Sequence, residues 1–314
     1  VLDGDFGVDD AMAALYLSSE PDIEILAVGS VHGNAEASVA ARNAITVLDL
    51  AGLRAVPVAI GAARPMAQEL DISSEVHGDD GLGGAAPPPR PDSRSPIGVP
   101  AAVQLVETLR AHPGECTILA TGPLTNLALA LLLDPAISGL VERVVVMGGT
   151  LDHPGNIGPY TEANIGHDPE AADMVLSADW PVTLVGLDVT MSTWLLAEDV
   201  LRIQSHHSDR GRFVASVLQH YLDFYLGRHR KIGCPLHDPT AARIAVDASL
   251  AGYTEVPVRV ERTSHVTRGM LLVDRRAFSS VSPGQRPVSI ATSIDRDRVV
   301  GRFMDGLLGD PFRS

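Results

Sequence analysis

Cys116-Thr-Ile-Leu-Ala-Thr-Gly-Pro-Leu-Thr-Asn126-Leu-Ala-Leu-Ala-Leu-Leu-Leu133 decides the fold. Its first five residues form an apolar run of strand length, Thr121-Gly-Pro123 supplies a turn, and from Leu124 the apolar residues recur at helical spacing. A buried strand running straight into a helix is half of a parallel strand–helix–strand unit. Working outward, apolar runs at 23–31, 144–147 and Val182–Val185 read as further buried strands. Segments 10–19, 35–53 and 100–111 read as the helices among them. This alternation predicts an α/β protein with a mainly parallel open sheet flanked by helices. A helix is expected at 209–228, peripheral strands at 256–260 and 270–273, and a closing helix at 295–307. Nothing marks a repeat or a boundary, so 1–314 reads as a single domain.

Composition narrows the class. Apolar residues make up 45% and charged residues 20% of the 314, the balance of an ordinary globular protein. A formal charge of −15 argues against nucleic acid, whose binding rests on Lys and Arg displacing counterions. No stretch approaches the roughly 20 apolar residues of a membrane span. No targeting pattern opens the chain, so a cytoplasmic location is expected, although the start at Val1 leaves open whether residues precede it. Cys116 and Cys234 sit in apolar or mixed stretches and read as buried free thiols.

In open α/β sheets, ligands bind beyond the carboxyl ends of the strands. Four such ends carry polar residues: Asp3-Gly-Asp5, His32-Gly-Asn34, Thr121 to Asn126, and Gly148-Gly149 leading to Asn156. The irregular stretches 62–98 and 151–166 are loops of the length that function or mobility requires. Asp3, Asp5, Asp9 and Asp10 fall within eight residues of one another. A helix N-terminus favours acids by only about 0.3 to 1 kcal/mol each. That is too little to gather four of them in a partly dry pocket, whereas a bound cation does so simply. Oxygen donors without a Cys or His cluster suit a hard ion, and Ca²⁺ tolerates loose geometry better than Mg²⁺. His237-Asp238-Pro239 is the best further source of oxygen, with a helix cap as the plain alternative for Asp238.

Asp3-x-Asp5-x-Gly7-x-Asp9-Asp10-Ala11 resembles the opening signature of the inosine-uridine-preferring nucleoside hydrolases. His32-Gly-Asn34, Val76-His-Gly-Asp-Asp-Gly-Leu82, Ala120-Thr-Gly-Pro-Leu-Thr-Asn126, Met147-Gly-Gly149, Gly155-Asn156, Glu162-Ala-Asn164, Asp168-Pro-Glu-Ala-Ala172 and His237-Asp-Pro239 follow in the family's order. The resemblance implies the nucleoside hydrolase fold, with a Rossmann-like sheet, and a small ribonucleoside as substrate. It further implies that Asp5, Asp10, Asp238 and the main-chain carbonyl of Thr121 hold Ca²⁺. Asp9, Asn34, Asn156, Glu162 and Asn164 would bind the ribose hydroxyls, with Met147 lining that pocket. It implies a homodimer or homotetramer, and a place in purine or pyrimidine salvage. The chain departs from the family at Phe6, where Pro is usual, at Ala163, where Phe is usual, and at His167 before the Asp168-Pro turn.

Cleaving an N-glycosidic bond produces an oxocarbenium-like sugar, so the site needs an activated water and a proton for the departing base. Asp5 is the expected general base and His237 the expected acid, against the alternative of a histidine that only lines the pocket. His77 is expected to close over the base, or to be an exposed loop residue. Tyr225 is expected to stack on the base, or to be core. Thr125, Asn126 and Glu170 read as turn or cap residues, and Tyr221 and Trp194 as core. A phosphatase built on Asp3 or Asp5 is a rival reading, but it needs a well-placed Lys and the chain has only Lys231. A calcium- and nucleoside-binding protein without turnover is the other.

Overall fold

A computed structural model describes residues 1–88, 93–276 and 286–309. The chain opens with β1 (Leu2–Gly4), α1 (Val8–Leu17), β2 (Val28–Ser30), α2 (Ala37–Leu50), β3 (Val58–Ile60), α3 (Ser74–His77) and α4 (Ala101–Ala111). There follow β4 (Cys116–Ala120), α5 (Thr125–Leu133), β5 (Val141–Met147), α6 (Ala163–His167), α7 (Pro169–Leu176), β6 (Val182–Val185) and α8 (Leu187–Thr190). Then come β7 (Trp194–Leu196), α9 (Ala197–Ser205), α10 (Asp209–His229), β8 (Gly233–Pro235) and α11 (His237–Val246). The last elements are β9 (Ala251–Val256), β10 (Val258–Val260), β11 (Leu271–Val273), β12 (Val288–Ile294) and α12 (Arg296–Leu308).

Eight strands make the central sheet in the order β3-β2-β1-β4-β5-β6-β12-β9, parallel except for β9 against β12. The chain builds from β1 to β3 on one side, then returns to place β4 on the other side of β1. That reversal opens a crevice at the carboxyl ends of β1 and β4.

Side-chain alternation along the strands supplies a core on each face. Val144 and Val146 of β5 join one apolar cluster, and Val145 and Met147 the other. In β4, Ile118 and Ala120 point to the first and Leu119 to the second. The cluster that takes Val145 also holds α1, α2, α10, α11 and α12, and the opposite one holds α4, α5 and α7. All ten residues of α1 are buried, because α2, α10, α11 and α12 surround it.

β4 and β6 fall where the apolar runs place them, and α4, α5, α10 and α12 within a residue or two. The expected strand at 23–31 narrows to β2, since the turn after Pro21, with Ile23 N donating to the Glu20 carbonyl at 3.2 Å, precedes it. The expected strand at 256–260 divides at Pro257, which has no N–H to continue a ladder: β9 joins the central sheet and β10 pairs with β11. Segment 62–98 contains the single turn α3, and its residues 89–92 lie outside the described ones. Strands β3, β7, β8 and β12 and helix α9 carried no expectation. Cys116 and Cys234 are buried and free. Among the described residues, no helix is long and apolar enough to cross a membrane.

Candidate active site

The acidic opening is gathered at the switch between β1 and β4. Gly4 ends β1 because a Cβ there would lie 2.5 Å from both the Asp10 Oδ1 and the Thr121 Oγ1. Phe6 then turns the chain with a positive φ of 38°, and Gly7 caps α1, whose first turn carries Asp9 and Asp10. Asp10 accepts from the Gly7 N–H at 2.8 Å and from the Thr121 hydroxyl at 2.7 Å. Asp5 accepts from the Asn34 main-chain N–H and from its Nδ2, both at 2.8 Å. Gly33 permits this, since it has φ +149° and a Cβ there would overlap Asp5 Oδ2. Asp9 Oδ2 accepts from the Tyr221 hydroxyl at 3.2 Å, while its Oδ1 is buried without a partner. Asp238 enters from the first turn of α11.

One carboxylate oxygen from each of Asp9, Asp10 and Asp238 lies within 4.8 Å of the others. Asp5 stands beside this trio rather than in it. Burial raises the proton affinity of all four. Asp5 and Asp238 rise well above the carboxylate range, with neighbouring acid charge adding to burial, and Asp9 rises to about 7 for the same two reasons. The donors bonded to Asp5, Asp9 and Asp10 are amides, hydroxyls and main-chain N–H groups, all neutral. An orphaned buried oxygen and an all-oxygen donor set fit a hard divalent cation. The nearby Thr121 carbonyl accepts from Asn164 Nδ2 at 3.1 Å and keeps a second lone pair.

Above this floor is a cavity of about 120 Å³. Asp9, Asn34, His77, Thr121, Met147, Asn156, Glu162, Asn164, Tyr225, His237 and Asp238 all line it, so every expected site residue reaches it except Asp5 and Asp10. Those two lie beneath, bonded to the lining residues Asn34 and Thr121. Glu162 caps α6, accepting from the Gly149, Asn164 and Ile165 N–H groups at 2.7, 2.9 and 3.2 Å. Asn164 Nδ2 also donates to the Met147 carbonyl at 3.0 Å, and Asn156 Oδ1 accepts from the Ala163 N–H at 2.9 Å. These bonds aim one carboxylate and two amides into the cavity.

The other wall is imidazole and phenol. His237 has Thr190 Oγ1 2.8 Å from Nδ1 and the Tyr225 hydroxyl 3.1 Å from Nε2. Burial, with His153 and His229 nearby, pulls its pKa down to about 3. His77 is not an exposed loop residue: it is buried at the end of α3, accepts from the Val8 N–H at 3.1 Å, and is likewise pulled down to about 3 by burial. Tyr225 is both core and pocket, meeting Tyr221 edge-on at 4.9 Å and lining the cavity. Tyr221, read as core, also reaches Asp9; its position one turn before Tyr225 on α10 was the available signal. Thr190, His153 and His229 were missed. Thr190 follows the end of β6, a fifth strand end that the rim rule covers.

The cap and turn residues are structural. Asn126 donates to Asp3 Oδ2 and the Ser30 carbonyl, both at 2.9 Å, and accepts from the Ala62 N–H, tying three strand ends together. Burial lifts Asp3 to about 7. Thr125 donates to Asp168 at 2.7 Å, and Glu170 pairs with Arg268 at 2.7 Å. Lys231, which a phosphatase would need at the acids, lies over the Trp194 ring at 4.3 Å.

The family model described as inosine-uridine preferring nucleoside hydrolase matches residues 1–301. The chain belongs to that family. This nucleoside hydrolase is therefore an enzyme, an N-glycosyl hydrolase. It is 36% identical to a probable uridine nucleosidase 2 of Arabidopsis thaliana, over 98% of this chain and 97% of that one. It is 34% identical to the inosine-uridine preferring nucleoside hydrolase of Crithidia fasciculata, over 99% and 98%. Among solved structures, a plant nucleoside hydrolase superposes with a TM-score of 0.94 at 32% identity, covering 98% of each chain. A purine-preferring ribonucleoside hydrolase from Gardnerella vaginalis gives 0.91 at 31%, covering 98% and 97%.

Proposed function

We propose that this nucleoside hydrolase releases the base from ribonucleosides with a calcium ion held by Asp5, Asp10, Asp238 and the Thr121 carbonyl. One observation carries the reading: buried carboxylate oxygens of Asp10 and Asp238, two of the proposed ligands, lie with one of Asp9 within 4.8 Å of one another at the base of the cavity, and Asp5 stands beside them. Uncompensated charge of that kind is costly in a dry site, and a hard cation removes the cost. Uridine nucleosidases and a purine-preferring hydrolase both stand among the similar proteins, so the ribonucleoside is the substrate class they share. When bound, calcium lowers the pKa of water and orients ribose hydroxyls.

The chain's own groups do the rest. Water attacking the anomeric carbon must lose a proton, and Asp5, fixed by the main-chain and side-chain donors of Asn34, takes it. Positive charge builds on the ribose as the carbon–nitrogen bond lengthens. Asp9 and Glu162 face that charge, while Asn34, Asn156 and Asn164 hold the hydroxyls and Met147 lines the pocket. His237 is neutral at rest. As negative charge develops on the departing base it takes a proton from solvent and passes it to the base, balancing the proton that Asp5 takes from water, while Thr190 and the Tyr225 hydroxyl hold its ring. His77 and Tyr225 enclose the base.

A reducing-sugar assay over purine and pyrimidine nucleosides should give ribose from both or from one class. Chelator should abolish the signal and added calcium restore it. Asp10→Ala is expected to lose calcium binding, read calorimetrically, and base release together. Wild-type release from a metal-free Asp10→Ala protein would falsify the ligand assignment.

A further inference from the structure

Asp188 lies in the first turn of α8, a site role that neither the motifs nor the chemistry above assigns to it. Its Oδ2 accepts from the Leu151 N–H at 2.9 Å, and its Oδ1 from the N–H groups of Asp152 and His153 at 2.7 and 2.9 Å. Three consecutive main-chain donors thus converge on one carboxylate. The chain leaves β5 through Gly148 and Gly149, with Gly149 at φ +75°, so this stretch has little stiffness of its own. Residues 153 to 157, beginning with the third donor, line the cavity and include Asn156. The same short helix presents Leu187 to the cavity and Thr190 to His237.

We propose that Asp188 is a positioning residue that holds the 151–157 wall of the cavity closed against the substrate; this rests on the cavity being the nucleoside site. An ionised carboxylate accepting N–H bonds makes them roughly twice as strong as neutral ones. The other ties leave the 151–153 N–H groups to Asp188. The Thr150 hydroxyl donates to the His153 carbonyl at 2.6 Å, the Asn156 and Ile157 N–H groups donate to the Thr161 carbonyl at 3.1 and 3.3 Å, and Asn156 Oδ1 accepts from the Ala163 N–H at 2.9 Å. The exposed Arg228 donates to the Asn156 carbonyl at 3.2 Å, and the ion pair of Asp152 with Arg275 is exposed. Replacing the carboxylate with an amide removes one acceptor oxygen and sets an NH₂ against an N–H donor. The wall then opens, and ribonucleosides bind less tightly without any change in the groups that take or give protons.

The test compares wild type with Asp188→Asn and Asp188→Glu. Hydrogen exchange of amides 151–153, measured without substrate, should accelerate at least tenfold in Asp188→Asn, with Asp188→Glu nearer wild type. For nucleoside hydrolysis, Asp188→Asn should raise KM about tenfold while kcat falls less than threefold. Unchanged exchange overturns the proposal, as does faster exchange with an unchanged KM, or a loss confined to kcat. Absence of nucleoside hydrolysis by the wild type, with accelerated exchange in Asp188→Asn, defeats the reading of the cavity and not the role of Asp188 in holding its wall.

Discussion

His237 is held from both sides of its ring, by Thr190 at Nδ1 and Tyr225 at Nε2, and burial keeps it neutral at rest. Its contribution should therefore depend on how much proton the leaving group demands. His237→Ala is expected to slow inosine hydrolysis by about 10² or more, the usual range for a positioned acid. The same variant should leave p-nitrophenyl riboside, whose leaving group needs no proton, within a few-fold of wild type. Equal losses on both substrates would assign His237 to the pocket wall alone. Tyr221→Phe is a finer probe. It removes the hydroxyl bonded to Asp9 Oδ2, on a buried carboxylate whose Oδ1 already has no hydrogen-bond partner. An unsatisfied buried group costs about 1–3 kcal/mol. We expect kcat/KM for nucleosides to fall about tenfold or more and the melting temperature to fall with it; an unaltered kcat/KM would make Tyr221 core only.

At the scale of elements, the acids depend on two close backbone approaches. Gly4→Ala would drive a Cβ into Asp10 and Thr121, so it should abolish calcium binding in a protein whose circular dichroism is unchanged; retained affinity would show that the turn can yield. The strand-and-turn unit around Thr121 was legible because its apolar run, turn and helix each follow a different local rule. β3 and β7 were not, since three residues carry no periodicity. Pro257 was the overlooked mark in 256–260, and it alone explains why β9 and β10 part company. The polar rim was legible from strand ends, and the proposed ribose and calcium roles came from matching motifs. Thr190 and Asp188 belong to neither source: their partners lie 47 and about 36 positions away, a separation that no local pattern encodes.

For the whole molecule, the fold must hold α1, α11 and α12 together at the end remote from the acids. Glu20 does so, bonded to Arg302 at 2.9 Å and lying 3.8 Å from Arg243. Burial alone would raise its pKa, but hydrogen bonds from Arg302 and Tyr16 and the charges of Arg302 and Arg243 outweigh it, so the net shift is downward. A carboxyl with a lowered folded pKa adds stability that is present above its unfolded value and is lost as pH falls through the folded one. Glu20→Gln should therefore lower the melting temperature at pH 7, with the difference from wild type shrinking below pH 4.5, the ordinary glutamate value. A difference that stays constant into acid would deny the linkage. Calcium is expected to act in the same direction at neutral pH, by about 2.7 kcal/mol at a hundredfold excess over Kd, read as a shift in thermal melting on adding chelator.

The complete burial of α1 divides the enzyme into parts that can evolve at different rates. A substitution on that helix meets neighbours on every side, so the acids it carries are held in place by packing as well as by chemistry. The far wall is built otherwise: Arg228 and Ile157 are exposed, and Ala163 lines the cavity with a single methyl group. Change in this wall can therefore proceed on the end of α10 and on the 153–157 loop without disturbing the acidic floor. Directed evolution for a new leaving group should concentrate its library there.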